Sequence, residues 1–427
     1  MNLNGTVGGD TATARGAQDR PALAGVKIAD FSTLMAGPYC TRLLADLGAE
    51  VVKVESPTGD MIRTAAPVRD GRSSYWASLN VGKRSVVLDL KSPRAQAAGA
   101  ELVGWADVVV ENFRPGVMAR LGLDYPTVSQ GRPDLVYCSI SGYGQSGPWL
   151  DRPANAQVVQ ATSGYDLAVL SFQSQPDAPL STGIFPADAL GGALAFGAVV
   201  SALYARAATG VGRYIDVALI DGILSMMTYE VQNAQFPAGY DRRGYPPARA
   251  SDGWIMIAAL SDVHVRRLFA AIGHPELPDD PRFATTVARW AHVSEMQAFI
   301  EEWTMARTTA ECEAALNRAG VACSRYYTVA EVLASAQVGH RGTMVAAEDG
   351  TGSFDVVGTP FQMMTPDGSA PERPTGPLRA ADPGADTIAV LTELLGADGA
   401  DAVIASGGAF SPAAAPAAAG ACPAGQE

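Results

Sequence analysis

The chain has 427 residues, 48% hydrophobic and 18% charged, and a formal net charge of −13; a length beyond one ordinary core predicts about two domains. The acidic balance argues against nucleic-acid binding, which needs a concentrated excess of Lys and Arg, so any anionic ligand has to be held by a local patch. Five cysteines, Cys40, Cys138, Cys312, Cys323 and Cys422, lie far apart without a C-x-x-C pair, which predicts neither disulfide framework nor metal site and fits a reducing cytoplasm.

Residues 1–23 are polar and glycine-rich and read as a flexible arm, neither secretory signal nor membrane anchor. From Val26 the pattern alternates: "VKIADFS" as a strand, "GPYCTRLLADLGAE" as a helix and "VVKVE" as a strand. Then come "RSVVLDL", the helix "SPRAQAAGAELVGWA", the strand "DVVVENF", the helix "PGVMARLGL" and the strand "DLVYCSIS". Short Val- and Ile-rich strands between helices predict a parallel sheet covered on both faces. The apolar run Ala189 to Tyr204 spans 16 residues, short of the roughly 20 that cross a bilayer, and predicts a buried helix.

After the strand "YIDVALID", a helical stretch ends near Ala238 and "GYDRRGYPPARASDG" reads as a passage between domains. The strand "GWIMIAALS" and the helices "DVHVRRLFAAIG", "SEMQAFIEEWTMA" and "TAECEAALNRAG" follow. The expected organisation is a large α/β domain over 24–225, a smaller domain over 226–327, a return to the large domain over 328–403 with the helix "ADTIAVLTELLG", and a disordered Ala/Pro/Gly tail over 404–427.

"GYGQSG", residues 142–147, fits the dinucleotide-binding pattern, but Pro148 and Pro153 stand where a helix has to open, so an ordinary glycine-rich loop is expected. Phosphate-loop and serine-hydrolase motifs are absent. His264, His274, His292 and His340 all lie in the C-terminal half at spacings unlike a metal pair, which turns attention to the acidic residues. Asp188, in "FPADALGGALA", follows Pro186, a residue suited to a first helical turn. It has two readings: an electrostatic cap on the helix dipole, or a semi-buried carboxylate nucleophile that Gly191 and Gly192 leave open to a bulky substrate. On these residues alone the cap is favoured.

Read together, "GVKIADFSTLMAGPYCTRLLADLGAEVVKVESPTGD", "NVGKRSVVLDLKSPRAQ", "ADVVVENFRPGVMARLGLDY", "SISGYGQSGP", "FPADALGGALAFGAVVSALYARAATGVGRYIDVALIDG" and "AGVACSRYYTVAEVL" resemble the class III CoA-transferases, over about Ala24 to Asp401. The family includes formyl-CoA and carnitine CoA-transferases and the α-methylacyl-CoA racemases. The resemblance implies a Rossmann-like large domain with a parallel sheet, a smaller α+β domain and an interlocked homodimer. It places the catalytic aspartate on Asp188 and CoA contacts on Leu88, Lys91, Asn112, Phe113 and Arg120. CoA, acyl-CoA and a free carboxylic acid are the implied substrates, and no permanently bound cofactor, metal, membrane or nucleic-acid partner is expected. For Leu88 and Phe113, core packing is an equal alternative.

Two departures refine this expectation. The racemases carry His-Asp where this chain has Asn155-Ala156, and asparagine exchanges no proton near neutrality, which disfavours racemisation. Oxalate-using relatives carry a polar amide in the place of Met35, which suits a more apolar acyl group. The expected reaction is CoA transfer between two carboxylic acids through intermediates on Asp188. The alternatives are an α-methylacyl-CoA racemase or epimerase and a non-catalytic CoA-binding homologue. The small domain and the loops around 167–180 and 236–252 are expected to shape the acyl pocket.

Overall fold

The computed structural model describes residues 20–171, 182–238, 245–364 and 378–411. The expected terminal arm through residue 19, the tail from 412, and 172–181 and 239–244 of the expected pocket loops lie outside the described residues.

The described residues form two compact units, one within 20–165, 182–227, 341–364 and 378–411 and the other within 166–171, 228–238 and 245–340. The first unit is built on strands β1 (Lys27–Asp30), β2 (Glu50–Glu55), β3 (Arg84–Leu88), β4 (Val108–Glu111), β5 (Val136–Ser141) and β6 (Tyr214–Ala218). These six pair in parallel in the order β3-β2-β1-β4-β5-β6. The order reverses at β1, so a crevice opens between β1 and β4 at the carboxyl ends of the strands, the usual place for a ligand in such sheets. Helices cover both faces, and β1 to β5 are buried almost throughout, with the edge strand β6 buried only at Val217 and Ala218: Ile28, Val52, Val108, Val109 and Val136 are 0% exposed, which is why the inner strands read as unbroken apolar runs.

The connecting helices are α1 (Ala36–Asp46), α2 (Ser74–Asn80), α3 (Pro93–Trp105), α4 (Val117–Arg120), α5 (Ala156–Thr162), α6 (Pro186–Thr209) and α7 (Leu219–Met226). The sequence pattern misses α2, whose "SYWASLN" has too short an apolar stripe to read as a helix; Ser73 caps it by accepting the Trp76 amide at 3.0 Å. Where "GYGQSG" invites a helix none opens until Ala156, and Gly144 and Gly147 instead take positive φ values.

Three expectations need correction. The helix carrying Asp188 runs 24 residues, eight more than its uninterrupted apolar run, because Pro186 starts it and Gly210, in the left-handed region, ends it. By length and composition alone it could cross a bilayer, but one stripe (Ala187, Gly191, Gly192, Ala195, Val199, Leu203) is buried in the protein, against α1 among others. The last helix, α8 (Thr387–Ala405), does not stop at Gly396 but kinks there, at φ 71°, and continues. Residues 404–411 are ordered rather than tail: β7 (Ala409–Phe410) adds antiparallel to the β3 edge, pairing Ala409 with Leu88, so the edge strand is covered by chain that looked too rich in Ala and Gly to fold.

A second sheet in this unit joins Met344–Asp349, Gly352–Val357 and Leu378–Arg379. Its Ala347 and Val356 share a core with Ile62, Trp76 and Leu79. The other unit holds a three-stranded antiparallel sheet, with Gly253–Ile257 between Ala248–Ala250 and Cys323–Arg325. Its separate core includes Ile255, Phe269, Phe283, Ile300 and Leu316.

Candidate active site

The direction of α6 decides where Asp188 lies. Gly191 packs on Leu219, just beyond the carboxyl end of β6, while Arg206 near the other end pairs with Asp107 at the start of β4, 3.0 Å away. The helix N-terminus therefore stands at the carboxyl edge of the sheet. Asp188 is the third residue of that first turn, after Pro186 and Ala187, where the dipole favours an anion. Burial alone pushes its carboxyl up to about 6. Among the described residues it forms no ion pair and accepts no side-chain hydrogen bond. Nearby, burial raises the Tyr75 phenol, with the negative charges of Asp188 and Asp60 adding to the effect. Met35, Tyr39 and Tyr75 pack against one apolar cluster with Ile62 and Trp76.

The two glycines beside Asp188 have a different task from the one expected. A Cβ on Gly192 would stand 2.5 Å from the Ala36 carbonyl oxygen and 3.1 Å from the Tyr39 ring, and one on Gly191 would strike the Leu219 side chain. Both glycines are buried. They let α6 lie close against α1 and the start of α7, and leave no space there for a substrate.

Next to this helix, the turn from β1 to α1 is held by buried polar side chains that hydrophobic patterning does not reveal. Asp30 is 0% exposed, and accepts from the Ser32 amide at 2.9 Å, from the Ser32 and Thr41 hydroxyls and from Lys83 at 3.1 Å. Burial acts to raise its carboxyl, but the charges of Lys83 and Lys53 and the two hydroxyls prevail and hold it at about 2. Lys53, 1% exposed, donates to the Ser32 carbonyl at 2.7 Å and lies 3.6 Å from Asp60. Charged residues in or beside apolar strand runs were the available signal: "IAD" and "VVKV" each put one where the pattern calls for core, and "VGKR" puts Lys83 just before β3.

Of the residues that the resemblance connects with CoA, Leu88, Lys91, Asn112 and Phe113 sit at or just beyond the carboxyl ends of β3 and β4, and Arg120 ends α4. Leu88 is 2% exposed and belongs to the sheet's core, against which Phe113 also packs. Lys91 and Arg120 are exposed, with no ion pair among the described residues. The Asn112 amide is committed elsewhere: its oxygen accepts from the Thr33 amide at 2.8 Å and its nitrogen donates to the Thr33 carbonyl at 2.8 Å, bridging the β1 and β4 loops across the crevice. Glu111, buried behind it, accepts from the Phe113 amide at 2.9 Å, and burial pushes its carboxyl up to about 7. Asn155 caps α5, its oxygen accepting the Val158 amide at 3.0 Å, and Ala156 beside it is 4% exposed. Among the described residues no cluster of His, Cys, Asp or Glu is arranged to hold a metal ion.

Comparison with known proteins identifies this architecture. Residues 23–382 match the model of CoA-transferase family III. A succinyl-CoA–D-citramalate CoA-transferase of Chloroflexus aurantiacus is 34% identical, over 76% of this chain and 83% of the relative. A succinate–glutarate CoA-transferase of Agrobacterium fabrum is likewise 34% identical, over 78% and 87%. In structure, a CAIB/BAIF family protein of Brucella suis superposes with a TM-score of 0.74 at 32% identity, covering 88% of this chain and all of that one. With a matched region that spans both units and relatives at this identity over most of their length, the chain belongs to CoA-transferase family III.

Proposed function

We propose that the chain moves CoA between two carboxylic acids with Asp188 as the nucleophile. The observation that carries this reading is the Asp188 carboxylate itself, at a helix mouth on the ligand-binding edge of the sheet, desolvated and unpaired among the described residues. With a carboxyl at about 6, some nine-tenths is ionised at pH 7, and the poorly solvated anion is a stronger base and nucleophile than a surface carboxylate.

In the forward half-reaction an Asp188 oxygen bonds to the acyl carbon of the donor thioester, the carbon–sulfur bond breaks, and CoA leaves as thiolate from a mixed anhydride. The thiolate then bonds to the aspartyl carbonyl carbon and displaces the donor acid as carboxylate, leaving an aspartyl–CoA thioester. The acceptor carboxylate reverses these steps and restores Asp188, with no net proton change. The apolar setting of Met35, Tyr39 and Tyr75 suits intermediates that water would hydrolyse.

CoA extends from Asp188 toward β3 and β4 in this reading. Lys91 and Arg120 supply cations for its phosphates, and the main chain near Leu88, Asn112 and Phe113 lines its path. Met35, packed among apolar groups, favours medium or branched acyl chains over oxalyl and formyl. An interlocked homodimer in the cytoplasm belongs to the same proposal, supported by the family and by the exposed apolar residues Leu194 and Tyr204 on α6. Racemisation finds no support at Asn155, whose side chain is spent on a helix cap.

The test is a screen of acyl-CoA donors against free acids, with product thioesters read by mass, on the wild type and Asp188→Asn. Hydroxylamine with acyl-CoA should modify and inactivate the wild type at Asp188, while Asp188→Asn should bind CoA without turnover. Turnover by that variant overturns the assignment.

A further inference from the structure

The turn leaving β1 has main-chain groups held one by one from buried side chains. Asp30 takes the Ser32 amide, Lys53 the Ser32 carbonyl, and Asn112 both the amide and the carbonyl of Thr33. The next amide, that of Leu34, donates to the two oxygens of Asp60 at 3.2 and 3.4 Å. Leu34 stands at φ 64°, a left-handed conformation that costs a side chain with a Cβ and persists only where its surroundings impose it. Asp60 is 4% exposed and also accepts the Ile62 amide at 3.2 Å, with Lys53 3.6 Å away. Leu34 itself is 40% exposed, so the strain serves no burial of its side chain.

This turn borders the site. It runs into Ala36, whose carbonyl abuts Gly192, one helical turn beyond Asp188 on the same face of α6. Asp60 and Asp188 both act on the Tyr75 hydroxyl. We propose that Asp60 is a positioning residue for CoA transfer: by accepting the Leu34 amide it imposes the left-handed turn that sets the main chain of Met35 and Ala36 beside the first turns of the helix that carries Asp188. This inference rests on the reading of Asp188 as nucleophile. Asp60 acts through the turn and touches neither substrate nor the reacting atoms.

The experiment varies tolerance for the left-handed conformation at Leu34 without disturbing the buried charges. Leu34→Gly and Leu34→Asn accept that conformation and Leu34→Val resists it. With the donor and acid that the wild type turns over fastest among acetyl-, butyryl-, isobutyryl- and succinyl-CoA, Leu34→Val and Asp60→Asn should each lose about ten-fold in kcat. KM for the acyl-CoA should stay within about two-fold, because the turn shapes the reacting centre more than the CoA grip. Leu34→Gly and Leu34→Asn should keep kcat within about two-fold, and Leu34→Gly should recover several-fold of the loss when combined with Asp60→Asn.

A kcat order that follows side-chain size or hydrophobicity at position 34, or strict additivity of Leu34→Gly with Asp60→Asn, overturns the positioning role. The Leu34 series decides the matter even if Asp60→Asn does not fold. Undiminished turnover in Asp188→Asn strikes the underlying reading instead, and so separates the two failures.

Discussion

Asp188→Asn should abolish turnover and at the same time stabilise the fold at neutral pH. Burial raises the Asp188 carboxyl from 3.8 to about 6, so the folded chain binds a proton more tightly there than the unfolded chain does. Stability from this group is then highest below pH about 4 and is lost as pH rises through 6, reaching a cost of about 3 kcal/mol at pH 8. At pH 5 the same pair of values leaves a cost of about 1.6 kcal/mol. Asparagine does not ionise and escapes this cost, although its buried amide gives back about 1 kcal/mol or more. The expected net gain is about 1–2 kcal/mol at pH 8, shrinking by about 1.4 kcal/mol at pH 5. Urea unfolding of both proteins at the two pH values, followed by far-ultraviolet circular dichroism, measures this directly. A variant less stable than wild type at pH 8, or a difference that does not change with pH, would refute the claim that desolvation sets this carboxyl.

Other consequences follow from the same geometry. The pH profile of kcat/KM should fall with unit slope below pH about 6 as Asp188 protonates; a limb near 4, measured with saturating acid acceptor, would mean that the carboxylate is solvated. Lys91→Ala and Arg120→Ala should each raise KM for acyl-CoA about three- to ten-fold with little change in kcat, more at low salt than at high, and steady-state kinetics at two ionic strengths test this. Gly192→Ala should cost about 2–3 kcal/mol, because its Cβ meets the rigid Ala36 carbonyl at 2.5 Å. Gly191→Ala should cost less because the Leu219 side chain can turn aside, and urea midpoints rank the two. Asp30→Asn should lose about 3–5 kcal/mol by leaving Lys83 buried without its anion, again read from urea unfolding.

Much of the fold was legible in the chain because its signals are local. Strands such as "DVVVENF" are apolar on both faces, and Pro186 and Gly210 mark the ends of α6 within its own sequence. Asp188 was legible as an acidic residue at a helix mouth, and the resemblance raised it above the cap reading. What the chain did not show were relations between distant segments. Ala409 and Phe410, which follow Gly407 and Gly408, become a strand only because β3 offers a free edge, and nothing in their own composition requires it. The tasks of Gly191 and Gly192 depend on Leu219 and Ala36.

The sequence by itself determined the alternation of strand and helix, the acidic balance that restricts phosphate binding to a local patch, and the family to which the chain belongs. All three rest on short-range periodicity, composition or ordered motifs. The tertiary structure alone decided that Asp188 is desolvated and without a described partner, that Asn112 spends its amide on Thr33, and that Asp30, Lys53 and Asp60 converge beneath one strained turn. Burial and charge pairing are properties of groups brought together from tens of residues apart, and only the packed sheet with its crossing helices brings them within reach of one another.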